Sequence, residues 1–189
     1  MEALFTSTAV VALAEIGDKT MLLAILLATR FRQTLPVVMG ILVATLANHA
    51  LAALVGHSIA NLLEGQWFRI AVGVSFLAMA AWTLVPDRLD EDEEPKAARF
   101  GPFVTTTIAF FIVEIGDKTQ VATIALGAQF QSVMLVTLGT TLGMMLANVP
   151  AVYFGRAIVE RVSLRLMRMI AALLFFALGI WVVADALTL

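Results

Sequence analysis

Residues 15–20 read Glu-Ile-Gly-Asp-Lys-Thr, and the same six residues return at 114–119. Each copy of this hexapeptide places two acids and one lysine inside an otherwise apolar stretch. An ionisable side chain costs about 2.5–3.5 kcal/mol at the centre of a membrane helix on insertion scales. Two identical copies of such an unfavourable segment indicate a function beyond folding.

The composition predicts an integral membrane protein. Hydrophobic residues make up 61% of the 189 residues, and charged residues make up 14%. Soluble domains have roughly 45–50% apolar and about 25% charged residues. The chain has no cysteine, which excludes disulfides and thiolate metal sites. We expect the lipid bilayer as a partner and no nucleic acid.

Six apolar stretches approach or exceed the roughly 20 residues that a membrane-spanning helix needs. Their apolar character is continuous rather than alternating, which favours helices over strands. We therefore predict an all-α polytopic membrane protein. Its six transmembrane helices are placed at 3–29, 35–60, 66–85, 102–128, 132–158 and 165–187.

Lysine and arginine are distributed unequally between the two sides of this predicted bundle. Of the 12 such residues, nine lie in or beside the loops that follow the first, third and fifth spans, and the opposite side carries Arg69 alone. The other two, Lys19 and Lys118, lie inside spans. Because loops rich in these residues stay in the cytoplasm, we predict a multi-pass protein of the inner (plasma) membrane with both termini outside.

A shift of 99 residues, without a gap, aligns the two halves of the chain. Beyond the hexapeptide it matches Thr6 with Thr105, Thr8 with Thr107, Gly40 with Gly139, Phe76 with Phe175 and Trp82 with Trp181. Each half holds three spans, and an odd number makes the second half enter the membrane from the opposite side. We predict two inverted three-helix repeats, 1–86 and 102–189, joined by an acidic cytoplasmic loop at 87–101, with a shared site near the midplane.

The hexapeptides offer oxygen ligands for a cation. On a continuous helix, Glu15 and Asp18 would share one face, and Gly17 would permit close approach or local unwinding. Four carboxylates and two lysine ammonium groups sum to −2, which one divalent cation neutralises. Carboxylate oxygens suit Mn²⁺, Ca²⁺ or Mg²⁺ rather than soft metals.

The same acids are able to hold protons instead of a cation. Clustered carboxylates repel one another in a low-dielectric site, and protons relieve that repulsion when the cation leaves. This competition is the physical basis of cation/proton exchange. Two simpler interpretations remain open: each Glu–Lys pair of a hexapeptide is an ion pair that only fixes packing, or Lys19 and Lys118 are counter-charges outside the site.

The duplicated pattern E-x-G-D-[K/R]-[S/T] resembles the signature of a family of small cation/proton exchangers, which includes bacterial manganese exporters and eukaryotic Golgi Mn²⁺/Ca²⁺ transporters. The resemblance covers essentially the whole chain. It implies a transporter rather than an enzyme, without a cofactor, that exports Mn²⁺, or alternatively Ca²⁺, as protons enter. It assigns cation and proton binding to Glu15, Asp18, Glu114 and Asp117. It gives Thr20 and Thr119 the role of supporting these four acids.

Polar side chains outside the hexapeptides are weaker candidates. Asn48 and Asn148 lie in the middle of spans, where asparagine lines a cation path or forms interhelical hydrogen bonds. Gln120, which follows the second hexapeptide, offers one more oxygen as a ligand. His49 aligns with Asn148 in the 99-residue register. We interpret His49 first as a hydrogen-bonded packing residue and second as a proton carrier.

Three other functions fit buried acids. An exporter of cationic amino acids would pair their ammonium groups with the carboxylates. An intramembrane aspartyl protease would use Asp18 and Asp117 as its dyad, but identical motifs that each carry a lysine argue against it. A channel would use the acids as a selectivity ring. The sequence leaves the oligomeric state open, a homo-oligomer included.

Overall fold

A computed structural model describes residues 1–63, 65–86, 100–155 and 163–188 of the chain. Over these residues the chain forms eight helices and no strand, which confirms the predicted all-α fold. The helices are α1 (Glu2–Glu15), α2 (Lys19–Phe31), α3 (Thr34–Leu62), α4 (Gln66–Thr83), α5 (Pro102–Glu114), α6 (Lys118–Phe130), α7 (Val133–Phe154) and α8 (Leu164–Thr188).

The first and fourth predicted spans are each broken into two helices. The prediction of continuous helices over 3–29 and 102–128 is wrong, because the chain leaves the helical conformation between α1 and α2 and again between α5 and α6. Both gaps contain a glycine at positive φ, 88° for Gly17 and 79° for Gly116. Glycine adopts this left-handed conformation readily, whereas an α-helix requires negative φ. The local unwinding suggested by these glycines is confirmed.

The other four predicted spans correspond to the single helices α3, α4, α7 and α8. By length and apolar composition, α3, α7 and α8 are each able to cross a membrane. The predicted fifth span extends to residue 158, and the predicted acidic loop runs from 87 to 101. Residues 156–158 of that span and 87–99 of that loop lie outside the described residues.

The backbone repeats its local conformation at the 99-residue spacing. Arg32 ends α2 and Gln131 ends α6 in the same left-handed conformation, at φ 53° and 48°. Asp18 precedes α2 and Asp117 precedes α6 in the same extended conformation, at ψ 169° and 162°. The two hexapeptides therefore share one local structure as well as one sequence.

The first helix of each broken pair packs against the other half of the chain, α1 against α7 and α5 against α3. A side chain at Gly139 would come within 2.6 Å of the Leu4 carbonyl oxygen, and one at Gly40 within 2.8 Å of the Phe103 carbonyl oxygen. These two contacts are equivalent in the 99-residue register. Small residues allow such close approach of membrane helices.

Helices α4 and α8 pack against each other. Phe76 and Phe175, which the 99-residue register aligns, stack with ring centroids 6.5 Å apart. A contact between equivalent residues is expected beside a two-fold axis, where a surface meets its own copy.

Candidate functional site

Three of the four hexapeptide acids converge at the two helix breaks. Glu15 is the last residue of α1, and Asp18 and Asp117 stand immediately before α2 and α6. One carboxylate oxygen from each residue lies within 4.8 Å of the other two. The cluster therefore combines ligands from both hexapeptides, and we call these residues the three-acid cluster.

The prediction that Glu15 and Asp18 share a helix face is wrong, because the helix stops between them. The backbone turns at Gly17, and the Asp18 N–H donates to the Glu15 carbonyl oxygen at 3.1 Å. Asp18 then stands at the N-terminus of α2, where the helix dipole stabilises a negative charge. The break, rather than helical periodicity, brings the two carboxylates together.

Glu15 receives a hydrogen bond from the threonine of each hexapeptide. Thr20 donates to one carboxylate oxygen and Thr119 to the other. The Asn148 side chain also lies close enough to Glu15 to interact with it. Hydroxyl donors on a buried carboxylate fix its orientation and stabilise its charged form.

Glu114 lies beside the three-acid cluster and has its own partners. Thr45 Oγ1 donates to Oε1 at 3.0 Å, and Asn48 Nδ2 lies 3.4 Å from Oε2. The Glu114 charge remains close enough to Glu15 and Asp117 for the carboxylates to repel one another. The structure thus holds three of the four predicted acids in one cluster and the fourth next to it.

Thr45 was not predicted from the sequence. It lies three residues before Asn48 and four before His49 on α3. Residues at these spacings share a helix face. Thr45 could therefore have been predicted from the sequence as a polar residue on the same face of α3 as Asn48.

The two hexapeptide lysines have different surroundings. Lys19 Nζ lies 3.8 Å from Asp117 Oδ1 in the other hexapeptide. Lys118 Nζ donates to the Val85 carbonyl oxygen at 2.9 Å, just after the end of α4. Lys19 therefore supplies a positive charge at the three-acid cluster, and Lys118 connects α6 to the segment that follows α4.

Gln120 organises the second helix break. Its side-chain oxygen accepts a hydrogen bond from the Gly116 N–H at 2.8 Å, and its amide nitrogen donates to Asn48 Oδ1 at 3.3 Å. The oxygen that we considered as a ligand therefore already accepts a backbone hydrogen bond. The side chain also connects the break to the residue that contacts Glu114.

His49 does not make the hydrogen bonds that we expected of a packing residue. Its side chain is buried, and within the described part of the chain neither ring nitrogen has a hydrogen-bond partner. Its Nε2 lies 3.8 Å from Oε2 of the Glu114 carboxylate. The interpretation of His49 as a hydrogen-bonded packing residue is wrong.

The site is closed to solvent and rich in oxygen. Exposure is 0% for Glu15, 5% for Asp18 and 4% for Asp117. Buried carboxylates this close together repel one another when they are ionised, and a cation among them offsets the cost of burying them. The arrangement is suited to a hard divalent cation held by carboxylate oxygens.

Comparisons with known proteins agree on one family. The family model for the divalent cation/proton antiporter GDT1 matches residues 3–91 and 102–189. The chain is 49% identical over 181 residues to a Vibrio cholerae protein named "Putative manganese exporter", covering 95% of this chain and 90% of that one. It is 30% identical to GDT1-like protein 5 of Arabidopsis thaliana, covering 92% of each. No solved structure matches the chain.

Proposed function

The chain belongs to the family of GDT1 divalent cation/proton antiporters, and from this premise we propose that it exports Mn²⁺ from the cytoplasm in exchange for protons. The observation that carries the proposal is the convergence of Glu15, Asp18 and Asp117 within 4.8 Å. Ca²⁺ is the second candidate cargo. The family does not favour an amino-acid exporter or a protease.

The ligand atoms of the site match a divalent cargo. Three carboxylates within 4.8 Å of one another repel when all are ionised, and a divalent cation among them relieves that repulsion. Mn²⁺ accepts this oxygen set, and the name of the Vibrio cholerae relative supports Mn²⁺ as cargo.

Protons and the cation compete for the same carboxylates. With the cation bound, its charge compensates the repulsion among Glu15, Asp18 and Asp117. When the cation leaves, protons on these acids relieve the repulsion. The hydroxyls of Thr20 and Thr119 hold the Glu15 carboxylate in place through both steps. Each half of the transport cycle therefore moves either a cation or protons through the site.

The transport cycle follows alternating access. The carboxylates are buried in the structure, which corresponds to an occluded step between the two open ones. We propose that the cation enters from the cytoplasm and that protons displace it when the site opens outward. The motion is a displacement of one repeat against the other around the shared site.

The proposed architecture has six spans arranged as two inverted repeats, 1–86 and 102–189. The broken pairs α1–α2 and α5–α6 each form one span. The register-equivalent contacts at Gly139 and Gly40 and the Phe76–Phe175 stack support the duplication. The bias of lysine and arginine supports a plasma-membrane protein with both termini outside.

Proton-coupled metal flux in proteoliposomes tests this function. An imposed Mn²⁺ gradient should drive counter-movement of protons in the wild type and none in Glu15→Gln, which removes a charge at the three-acid cluster. Glu2→Gln is the matched control, because Glu2 is exposed at the start of α1. Full exchange by Glu15→Gln, or no metal-driven proton movement in the wild type, would overturn the proposal.

A further inference from the structure

His49 is a buried polar side chain to which the proposed cycle gives no role. It is 1% exposed, and both ring nitrogens lack a hydrogen-bond partner among the described residues. Buried polar atoms are nearly always hydrogen-bonded, and an exception calls for an explanation, such as a bound ion. His49 differs from the unpartnered buried hydroxyls, such as that of Thr106, because imidazole is a common metal ligand and this one lies beside a hexapeptide acid.

The geometry around His49 fits a shared metal ion better than a direct contact. Its Nε2 lies 3.8 Å from Glu114 Oε2. This is beyond the range of a hydrogen bond. Two ligand atoms that each stand about 2.0–2.2 Å from one ion lie on the order of 3–4 Å apart. The imidazole and the carboxylate are therefore spaced as two ligands of one ion.

The second half of the chain carries a different group at the equivalent position. The 99-residue register aligns His49 with Asn148, and Asn148 interacts with Glu15 as His49 approaches Glu114. The second half thus presents an amide to the glutamate of the first, and the first half presents an imidazole to the glutamate of the second. Ca²⁺ and Mg²⁺ take oxygen ligands, whereas a transition-metal ion such as Mn²⁺ also accepts an imidazole nitrogen.

We propose that His49 is a nitrogen ligand of the transported cation, paired with Glu114, and that it favours Mn²⁺ over Ca²⁺. This inference rests on the proposed function, because it assigns a selectivity residue to the same transport site. Glu114 interacts with the charges of Glu15 and Asp117, so the His49–Glu114 pair adjoins the three-acid cluster. A cation held between the two groups contacts the imidazole nitrogen of His49 and a carboxylate oxygen of Glu114.

Pulsed EPR of bound Mn²⁺ tests the ligand directly. The full-length protein is labelled with ¹⁵N only at histidine, loaded with one equivalent of Mn²⁺, and examined for nitrogen coupling. The chain has two histidines, so His57→Asn is the matched control; His57 is half-buried and contacts Asn61 Nδ2 at 3.1 Å. We expect ¹⁵N coupling in the wild type and in His57→Asn, and its loss in His49→Asn and His49→Gln.

Transport selectivity gives the second readout. Replacing His49 with asparagine should lower the preference for Mn²⁺ over Ca²⁺, measured as the ratio of their kcat/KM values, by about tenfold or more, in the range that altered metal surroundings produce. His57→Asn should leave this ratio unchanged. Bound and transported Mn²⁺ without histidine coupling, or an unchanged ratio in His49→Asn, overturns the inference alone. A wild-type protein that neither binds nor transports Mn²⁺ overturns the proposed function as well.

Discussion

Thr119 in the second hexapeptide donates a hydrogen bond to Glu15 in the first, across 104 residues of sequence. Thr20, the equivalent residue of the first hexapeptide, donates to the other carboxylate oxygen of the same side chain. Glu15 therefore receives one hydroxyl from each copy. The duplicated hexapeptide therefore builds a single cluster of side chains with parts from both copies, rather than two separate clusters.

Replacing Thr119 with valine keeps the shape of the side chain and removes the donor. A hydrogen bond to a charged group contributes about 1.5–3 kcal/mol, and loss of an outer-shell partner lowers metal affinity by about 10–100-fold. We expect Mn²⁺ affinity, measured by titration calorimetry, to fall by at least about tenfold in Thr119→Val. Thr106→Val is the control, because the buried Thr106 hydroxyl has no hydrogen-bond partner in the described residues. Equal losses in both variants would contradict the assignment.

Mn²⁺ should stabilise the folded protein through the three-acid cluster. A ligand that binds only the folded state adds about 2.7 kcal/mol at a concentration of 100 times Kd. We expect Tm in detergent to rise with Mn²⁺ in the wild type and to stay constant in Asp18→Asn. Asp185→Asn is the control, because Asp185 is half-exposed beside Arg69, at 3.7 Å. A Tm increase in Asp18→Asn as large as in the wild type would count against the site.

The two hexapeptide glycines should differ in their tolerance of alanine. Both have positive φ, so a Cβ costs about 1–2 kcal/mol at either position. At Gly17 the added atom would also meet Leu164 Cδ2 at 2.6 Å, whereas at Gly116 it meets nothing within 4 Å. We expect both variants to lower Tm, with the larger decrease in Gly17→Ala. An equal or larger decrease in Gly116→Ala would contradict this difference in packing.

Gly56 should be the least replaceable glycine of α3. A Cβ there would come within 2.0 Å of the Ile124 carbonyl oxygen and 2.9 Å of the Ala128 nitrogen, both backbone atoms of α6. Forced overpacking costs typically about 1–3 kcal/mol. We expect Gly56→Ala to lower the thermal stability measurably, and Gly101→Ala, with open space around it, to leave it unchanged. A stable Gly56→Ala protein would mean that α3 and α6 are not in this close contact.

Several features of the fold and site were predictable from the sequence. Continuous apolar stretches indicated helices, and the duplicated acids indicated where the site would lie. The sequence suggested local unwinding at Gly17 but did not predict that the helix ends there and a second one begins. A single glycine inside a helix lowers its stability without always interrupting it. Helical periodicity then gave the wrong reason for the proximity of Glu15 and Asp18.

Contacts between the halves could not be predicted from one sequence. The pairing of Lys19 with Asp117 and the hydrogen bond from Thr119 to Glu15 depend on how α1 and α2 are positioned against α6 in three dimensions. A hexapeptide examined alone favours local pairs, such as Glu15 with Lys19, because residues four apart are neighbours on a helix. The separation of Glu114 from the three-acid cluster likewise follows from its contacts with α3.

The central claim is that both hexapeptides contribute to one cation site, and Mn²⁺ titration of purified wild type, Asp18→Asn and Asp117→Asn tests it most directly. We predict one bound Mn²⁺ per wild-type chain and a loss of affinity in each variant that exceeds the roughly 10–100-fold effect of an outer-shell change. Asp185→Asn should bind as the wild type does. Wild-type affinity in either Asp18→Asn or Asp117→Asn, or two independent Mn²⁺ sites per chain, would contradict the claim.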